Sequence, residues 1–121
     1  MTTTDAIVHA IGSHGLWKQR LRAAVATGMS DVTPAQIQAD DLCDFGKWLH
    51  ALTGPDTHSG YYATVRTLHT SFHKEAAKVL RLALAGSKPE ASQALKGGGS
   101  FAHTSAALTR AMMDWKKAVG G

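Results

Sequence analysis

Residues Ser59 to Ala85 set the strongest constraint on what this chain can fold into. Tyr62, Val65, His69, Phe72, His73, Ala76, Leu80 and Ala83 recur mostly at steps of three and four, the spacing that lines up one face of an α-helix. A helix with one apolar stripe must bury that stripe against other elements. Two of its members are histidines four residues apart. Their imidazoles therefore project from one face, a turn apart, and can grip one metal ion.

The rest of the chain supplies the partners. A first helix is predicted to start after Thr4, with Asp5 in its first turn, and to carry Ile7, Ile11, His14, Trp17, Leu21, Ala24 and Val25 inward as far as Gly28. Thr33-Pro34-Ala35-Gln36 reads as a helix start: Thr33 caps, Pro34 fits the first turn and Gln36 closes a capping box. This begins a short helix or the approach to a second main one. The second helix carries Leu42, Cys43, Phe45, Trp48, Leu49 and Leu52, has Asp40 and Asp41 near its start, and ends at Thr53-Gly54-Pro55-Asp56. Gly86 and Pro89 end the third helix. One or two turns over Lys88 to Leu95 and the Gly97-Gly98-Gly99 connector follow. Ser100 is expected to cap a last helix with Phe101, Ser105, Leu108, Ala111, Met112, Trp115 and Val119 inward. No run alternates as a strand would. The expected fold is all-α, an antiparallel four-helix bundle with short additional helical turns.

At 121 residues the chain is one domain. Its net charge of +4 is modest, and Lys18/Arg20/Arg22 and Lys116/Lys117 read as solvated clusters, so no nucleic-acid partner is expected. A single cysteine forbids an internal disulfide and suits a reducing compartment. Met1-Thr2-Thr3-Thr4-Asp5 lacks a signal-peptide pattern, and no segment is long and apolar enough to span a bilayer. A cytoplasmic location without membrane attachment is therefore expected.

His14 and Cys43 fall on the inward stripes of two other helices. With His69 and His73 they make a donor set of three imidazoles and one thiolate, which suits tetrahedral zinc. Taken singly, each has a blander reading: a hydrogen-bonded core histidine, or a small buried cysteine. Together they are harder to explain without a metal, because burying three unpaired imidazoles in one core is costly. His9 and His58 are reserves should one ligand be misassigned; His50 and His103 read as solvated or locally bonded. A shell closed by four protein ligands leaves no position for an activated water, so no enzyme is expected. A small zinc hydrolase survives only if Cys43 is displaced from an otherwise open three-histidine site. A metal-free helical interaction module is the other alternative. Trp48, Leu52 and the Met112/Met113 pair suit either the core or a second subunit.

The order His14-Gly15-Leu16-Trp17, Cys43-Asp44-Phe45-Gly46-Lys47-Trp48-Leu49 and His69-Thr70-Ser71-Phe72-His73 resembles the chemoreceptor zinc-binding (CZB) domain family. That pattern is a His followed closely by an aromatic, a Cys-x-apolar-Gly-x-Trp block, and a terminal His-x-x-x-His. The likeness extends from about Ala6 to Ala118. It implies a four-helix bundle, zinc held by His14, Cys43, His69 and His73, and homodimerisation. It also implies a part in bacterial signalling, in chemoreceptor or diguanylate cyclase pathways, with Cys43 responding to zinc occupancy or to an oxidant such as hypochlorous acid. The chain has no room for an output domain, so a free-standing member or an excised domain is expected. Gly46 is expected to admit a close neighbour, since it costs about 1 kcal/mol of helix propensity relative to alanine.

Overall fold

The computed structural model describes residues 2–41 and 43–120, without the side chain of Asp56. Met1, Leu42 and Gly121 lie outside the described residues, and with them the expected inward position of Leu42. Every described regular element is helical.

Helix α1, Thr3–Thr27, begins two residues earlier than expected. Thr2 is the reason: its hydroxyl accepts from Asp5 N–H at 3.1 Å, and the Asp5 carboxylate accepts from Thr2 N–H at 3.3 Å. The helix stops at Gly28, whose φ of 72° is left-handed. Helix α2, Pro34–Gln38, starts from the expected box between Thr33 and Gln36. Helix α3, Asp44–Ala51, follows, then a 3₁₀ turn over Pro55–His58. Helix α4, Gly60–Leu84, is the long predicted element, with all eight stripe residues buried. Helices α5, Lys88–Leu95, and α6, Ser100–Ala118, complete the chain.

Two sequence expectations shift here. The Thr33-Pro34-Ala35-Gln36 start opens a short helix of its own, the first of its two readings, while the second main helix begins only at Asp44, so Cys43 precedes it instead of lying within it. The cap of α6 is Gly99, not Ser100. A Cβ on Gly99 would lie 2.3 Å from the carbonyl oxygen of Gln93 and 2.5 Å from that of Ala94. Only glycine lets α5 and α6 approach so closely.

Contacts along the helices set their directions. His14 of α1 meets His69 and His73 of α4, while Leu21 and Ala24 share a cleft with Leu80. Thus α1 and α4 run the same way. Phe101 packs on Phe72 and Trp115 on Tyr62, so α6 runs against α4. The core is filled by Ile7, Leu21, Phe72, Leu80, Phe101, Leu108, Met112 and Trp115, each at most 1% exposed. Val119, expected inward, is exposed beyond the end of α6. Of the ambiguous residues, Met112 is core and Met113 is 52% exposed. Trp48 is half-buried, its ring 5.8 Å from that of Trp115.

Candidate metal centre

The centre forms where α1, α4 and the N-terminus of α3 meet. His69 and His73 point inward from the middle of α4, and His14 reaches them from α1. All three are nearly inaccessible to solvent, at 1%, 3% and 6%. Cys43 arrives differently from the way its sequence position suggests. It sits on no helical stripe; it is the N-cap of α3, with extended backbone at φ −79° and ψ 158°. Its Sγ accepts from Gly46 N–H at 3.2 Å. The cap places the sulfur at the positive end of a helix, in the manner that suits a thiolate.

Gly46 makes this turn possible. A Cβ there would lie 1.7 Å from the carbonyl oxygen of Asp40 and 3.2 Å from Cα of Asp41. The close neighbour expected at Gly46 is therefore the chain's own segment leading into Cys43, rather than another helix or a metal shell.

Four donor atoms converge. His69 Nε2 lies 3.2 Å from His14 Nε2, 3.1 Å from His73 Nε2 and 3.4 Å from Cys43 Sγ. His73 Nε2 is 3.6 Å from the same sulfur. All four lie within 4.8 Å of one another. With zinc bonds of about 2.0–2.1 Å to nitrogen and 2.3 Å to sulfur, a tetrahedron has edges of roughly 3.4 Å (N···N) and 3.6 Å (N···S). The four close contacts match those edges.

The proton positions make the same point. His14 Nδ1 donates to the carbonyl of Ala10 at 2.8 Å, one turn back on its own helix. His73 Nδ1 donates to the carbonyl of Ile37 in α2 at 2.7 Å. A carbonyl only accepts, so both rings keep their proton on Nδ1, and both Nε2 atoms are bare lone pairs. Both press on His69 Nε2, which can donate to at most one of them. Among the described residues the Cys43 thiol, 3.6 Å from His73 Nε2, is the one other donor beside them, so once that sulfur is a thiolate a lone pair faces another acceptor, an arrangement that a cation at the centre resolves. The backbone carbonyls are the outer partners that metal-bound imidazoles need. The sequence offers Asp40, Asp41, Asp44 and backbone carbonyls for that role, and for His14 and His73 it is carbonyls that take it.

Burial keeps the imidazoles neutral. Desolvation pulls His14 down to about 4 and, with repulsion from His73 and His14, pulls His69 down to about 3; burial lowers His73 as well. Burial pushes the Cys43 thiol up, opposed by the N–H groups at the helix start. A consequence for stability follows in metal-free protein. Below pH 6.5 the unfolded chain binds protons on His14 and His69 that the folded chain refuses until about 4 and 3. Their contribution to stability is therefore complete above pH 6.5 and falls as acid is added through that window, by up to about 1.4 kcal/mol per pH unit for each histidine. Urea midpoints of chelator-treated protein at pH 7.5 and pH 5 check this; equal midpoints contradict it.

Aromatic rings wall the centre. Phe45 meets His69 edge-on at 5.3 Å and stacks on Trp48 at 5.7 Å. Phe72 meets His14 edge-on at 5.0 Å. Trp17 is half-buried under the guanidinium of Arg20, 4.0 Å from its ring. Cys43 is the cluster member that faces outward. It lines two surface clefts of about 320 and 310 Å³, which Trp17 also lines. His9, His50, His58 and His103 are all exposed and outside the cluster.

A model of the chemoreceptor zinc-binding domain family matches residues 14–80. That span is more than half of the chain; it starts at His14 and contains all four clustered residues. No curated protein and no solved structure matches the chain.

Proposed function

This chain belongs to the chemoreceptor zinc-binding domain family, and we propose that it is a regulatory domain of bacterial signalling that holds one zinc ion through His14, Cys43, His69 and His73. The observation that carries this reading is the convergence of three buried imidazole nitrogens and one thiol sulfur within 4.8 Å of one another, four of the six separations being 3.1 to 3.6 Å. Bound zinc would supply a fixed positive centre that keeps the Cys43 sulfur as thiolate and brings no redox chemistry of its own. Four protein donors close the shell, which favours a sensor over a hydrolase.

The residues around the site divide the work. Ala10 and Ile37 orient His14 and His73, so the ligand set ties α1, α2 and the start of α3 to α4. Cys43 is the responsive member, because it alone of the four borders both clefts and sits on an irregular segment. Loss of zinc or loss of the thiolate then frees the same turn. Under hypochlorous acid the thiolate sulfur donates its electron pair. An S–O bond forms, the O–Cl bond breaks, the proton stays on oxygen, and chloride leaves. Sulfur loses two electrons and chlorine gains two, giving a sulfenic acid that is a poorer ligand. We propose that the domain works in the cytoplasm as a homodimer, passing this change to a chemoreceptor or cyclase pathway.

Native mass spectrometry of protein purified without added metal or chelator tests the reading. One zinc per chain is expected, and the same spectrum gives the assembly state. A chain that carries no zinc and takes none up refutes it. Cys43→Ser keeps an oxygen to cap α3 and should keep the helical fold. It is expected to bind zinc more weakly and to release none in response to hypochlorite. An undiminished response in that variant removes Cys43 as the switch.

A further inference from the structure

Asp40 is not in the metal cluster, yet it touches three parts of its support. Its Oδ2 accepts from Thr70 Oγ1 at 2.5 Å, and Thr70 follows His69 on α4. Its Oδ1 lies 3.5 Å from Nε2 of His50 on α3. Arg66 donates to Nδ1 of the same ring at 3.2 Å, which leaves the proton of the neutral ring on Nε2, facing the carboxylate. The backbone carbonyl of Asp40 packs on Gly46 and lies 3.9 Å from Cys43 Sγ. One residue thus joins the approach to Cys43, the helix that Cys43 caps, and the helix that carries two of the histidines.

We infer that Asp40 is a positioning residue of the metal centre: by pinning the turn before Cys43 to Thr70 and His50, it holds the sulfur where His69 and His73 need a fourth partner. The inference rests on the four-residue zinc site proposed above. The reason a pin is needed is local. His14, His69 and His73 are set by two helices of 25 residues each, whose backbone hydrogen bonds fix them. Cys43 is the N-cap of α3 and lies outside every described helix. The Asp40 carboxylate anchors that segment from the side nearest α4. Thr70 also donates within reach of Arg66 O, at 3.1 Å, so its hydroxyl has an alternative partner when Asp40 is removed. Losing the pin therefore leaves α4 satisfied and loosens only the cysteine turn.

Cobalt substitution of the full chain tests this. The thiolate-to-cobalt charge-transfer band reports whether Cys43 occupies the fourth position, and competition with a chromogenic chelator gives zinc affinity. Asp40→Ala is expected to weaken the thiolate band relative to the ligand-field bands and to lower zinc affinity about 10- to 100-fold, as loss of an outer support does elsewhere. Asp40→Asn retains an oxygen that accepts from Thr70 but turns its NH2 toward the Nε2–H of His50, so it should restore part of both. Thr70→Val, which leaves the carboxylate in place, should move both in the same direction as alanine at 40. An Asp40→Ala protein with a full thiolate band and affinity within about two-fold of the original overturns the inference. So does an Asp40→Asn protein as impaired as the alanine variant, since the bond to Thr70 would then hold nothing. If Asp40→Ala fails to fold, Thr70→Val decides alone: an unchanged band and affinity there overturns it. Failure of the zinc reading is visible separately, as an unsubstituted chain that takes up no cobalt.

Discussion

Gly46→Ala is expected to destabilise the protein by about 3 kcal/mol or more and to weaken zinc binding with it. The added Cβ would lie 1.7 Å from the carbonyl oxygen of Asp40 and 2.8 Å from its carbonyl carbon. Both atoms are backbone, so no side chain can rotate aside. Either α3 shifts or the segment before Cys43 does. Overpacking typically costs 1–3 kcal/mol where side chains can yield, and here they cannot. The gain in helix propensity from alanine, about 1 kcal/mol, offsets only part of this. The melting temperature should fall by roughly 10 °C. Gly12 and Gly15 are the controls. Both lie inside α1, and a Cβ at either meets nothing within 4 Å. Alanine there should stabilise slightly. A Gly46→Ala protein that melts with the wild type would show that the turn before Cys43 yields freely, and the close packing around the sulfur would lose its meaning.

The same turn marks where sequence reasoning reached its limit. The stripe of α4 was fully legible, because a 25-residue helix repeats its period often enough to separate one face from the other. His14, His69 and His73 could be grouped for that reason. Cys43 could be grouped but not placed. Two residues after the Asp40-Asp41 pair and two before Phe45, it fits a helical period, yet the chain uses it as a cap. Its sulfur substitutes for the usual serine or aspartate oxygen there. Thr33 announced α2 by an ordinary capping box; a cysteine cap has no such signature. The roles of Asp40, Thr70, His50 and Arg66 were out of reach for a different reason. Their contacts join residues 10 to 30 apart, and only the tertiary fold, with α2 and the residues after it laid against α4, brings them together. Gly99 lies between these cases: the glycine run announced a connector, but not that α5 and α6 close on it from both sides.

His69→Leu should change stability in opposite directions with and without metal. His69 Nε2 is the atom on which the other three donors converge, at 3.1 to 3.4 Å. It is also 1% exposed and enclosed by Phe45, His14 and His73. Without metal, that position carries a polar nitrogen pressed against two lone pairs. A leucine of comparable bulk removes the conflict, and the chelator-treated protein should gain about 1–2 kcal/mol. With metal, the change removes one of four ligands. Structural zinc sites contribute about 10–16 kcal/mol, so an even share is roughly 2.5–4 kcal/mol, or about two to three orders of magnitude in affinity. The zinc-induced rise in melting temperature should accordingly shrink or vanish. An ordinary core histidine behaves otherwise. Its replacement leaves hydrogen-bonding partners unpaired and lowers stability whether or not a chelator is present. Melting curves of both proteins, each with excess zinc and with chelator, separate the two. A His69→Leu protein less stable than the original under chelator would mean that the three imidazoles are satisfied by one another, and the case for a cation between them would fall.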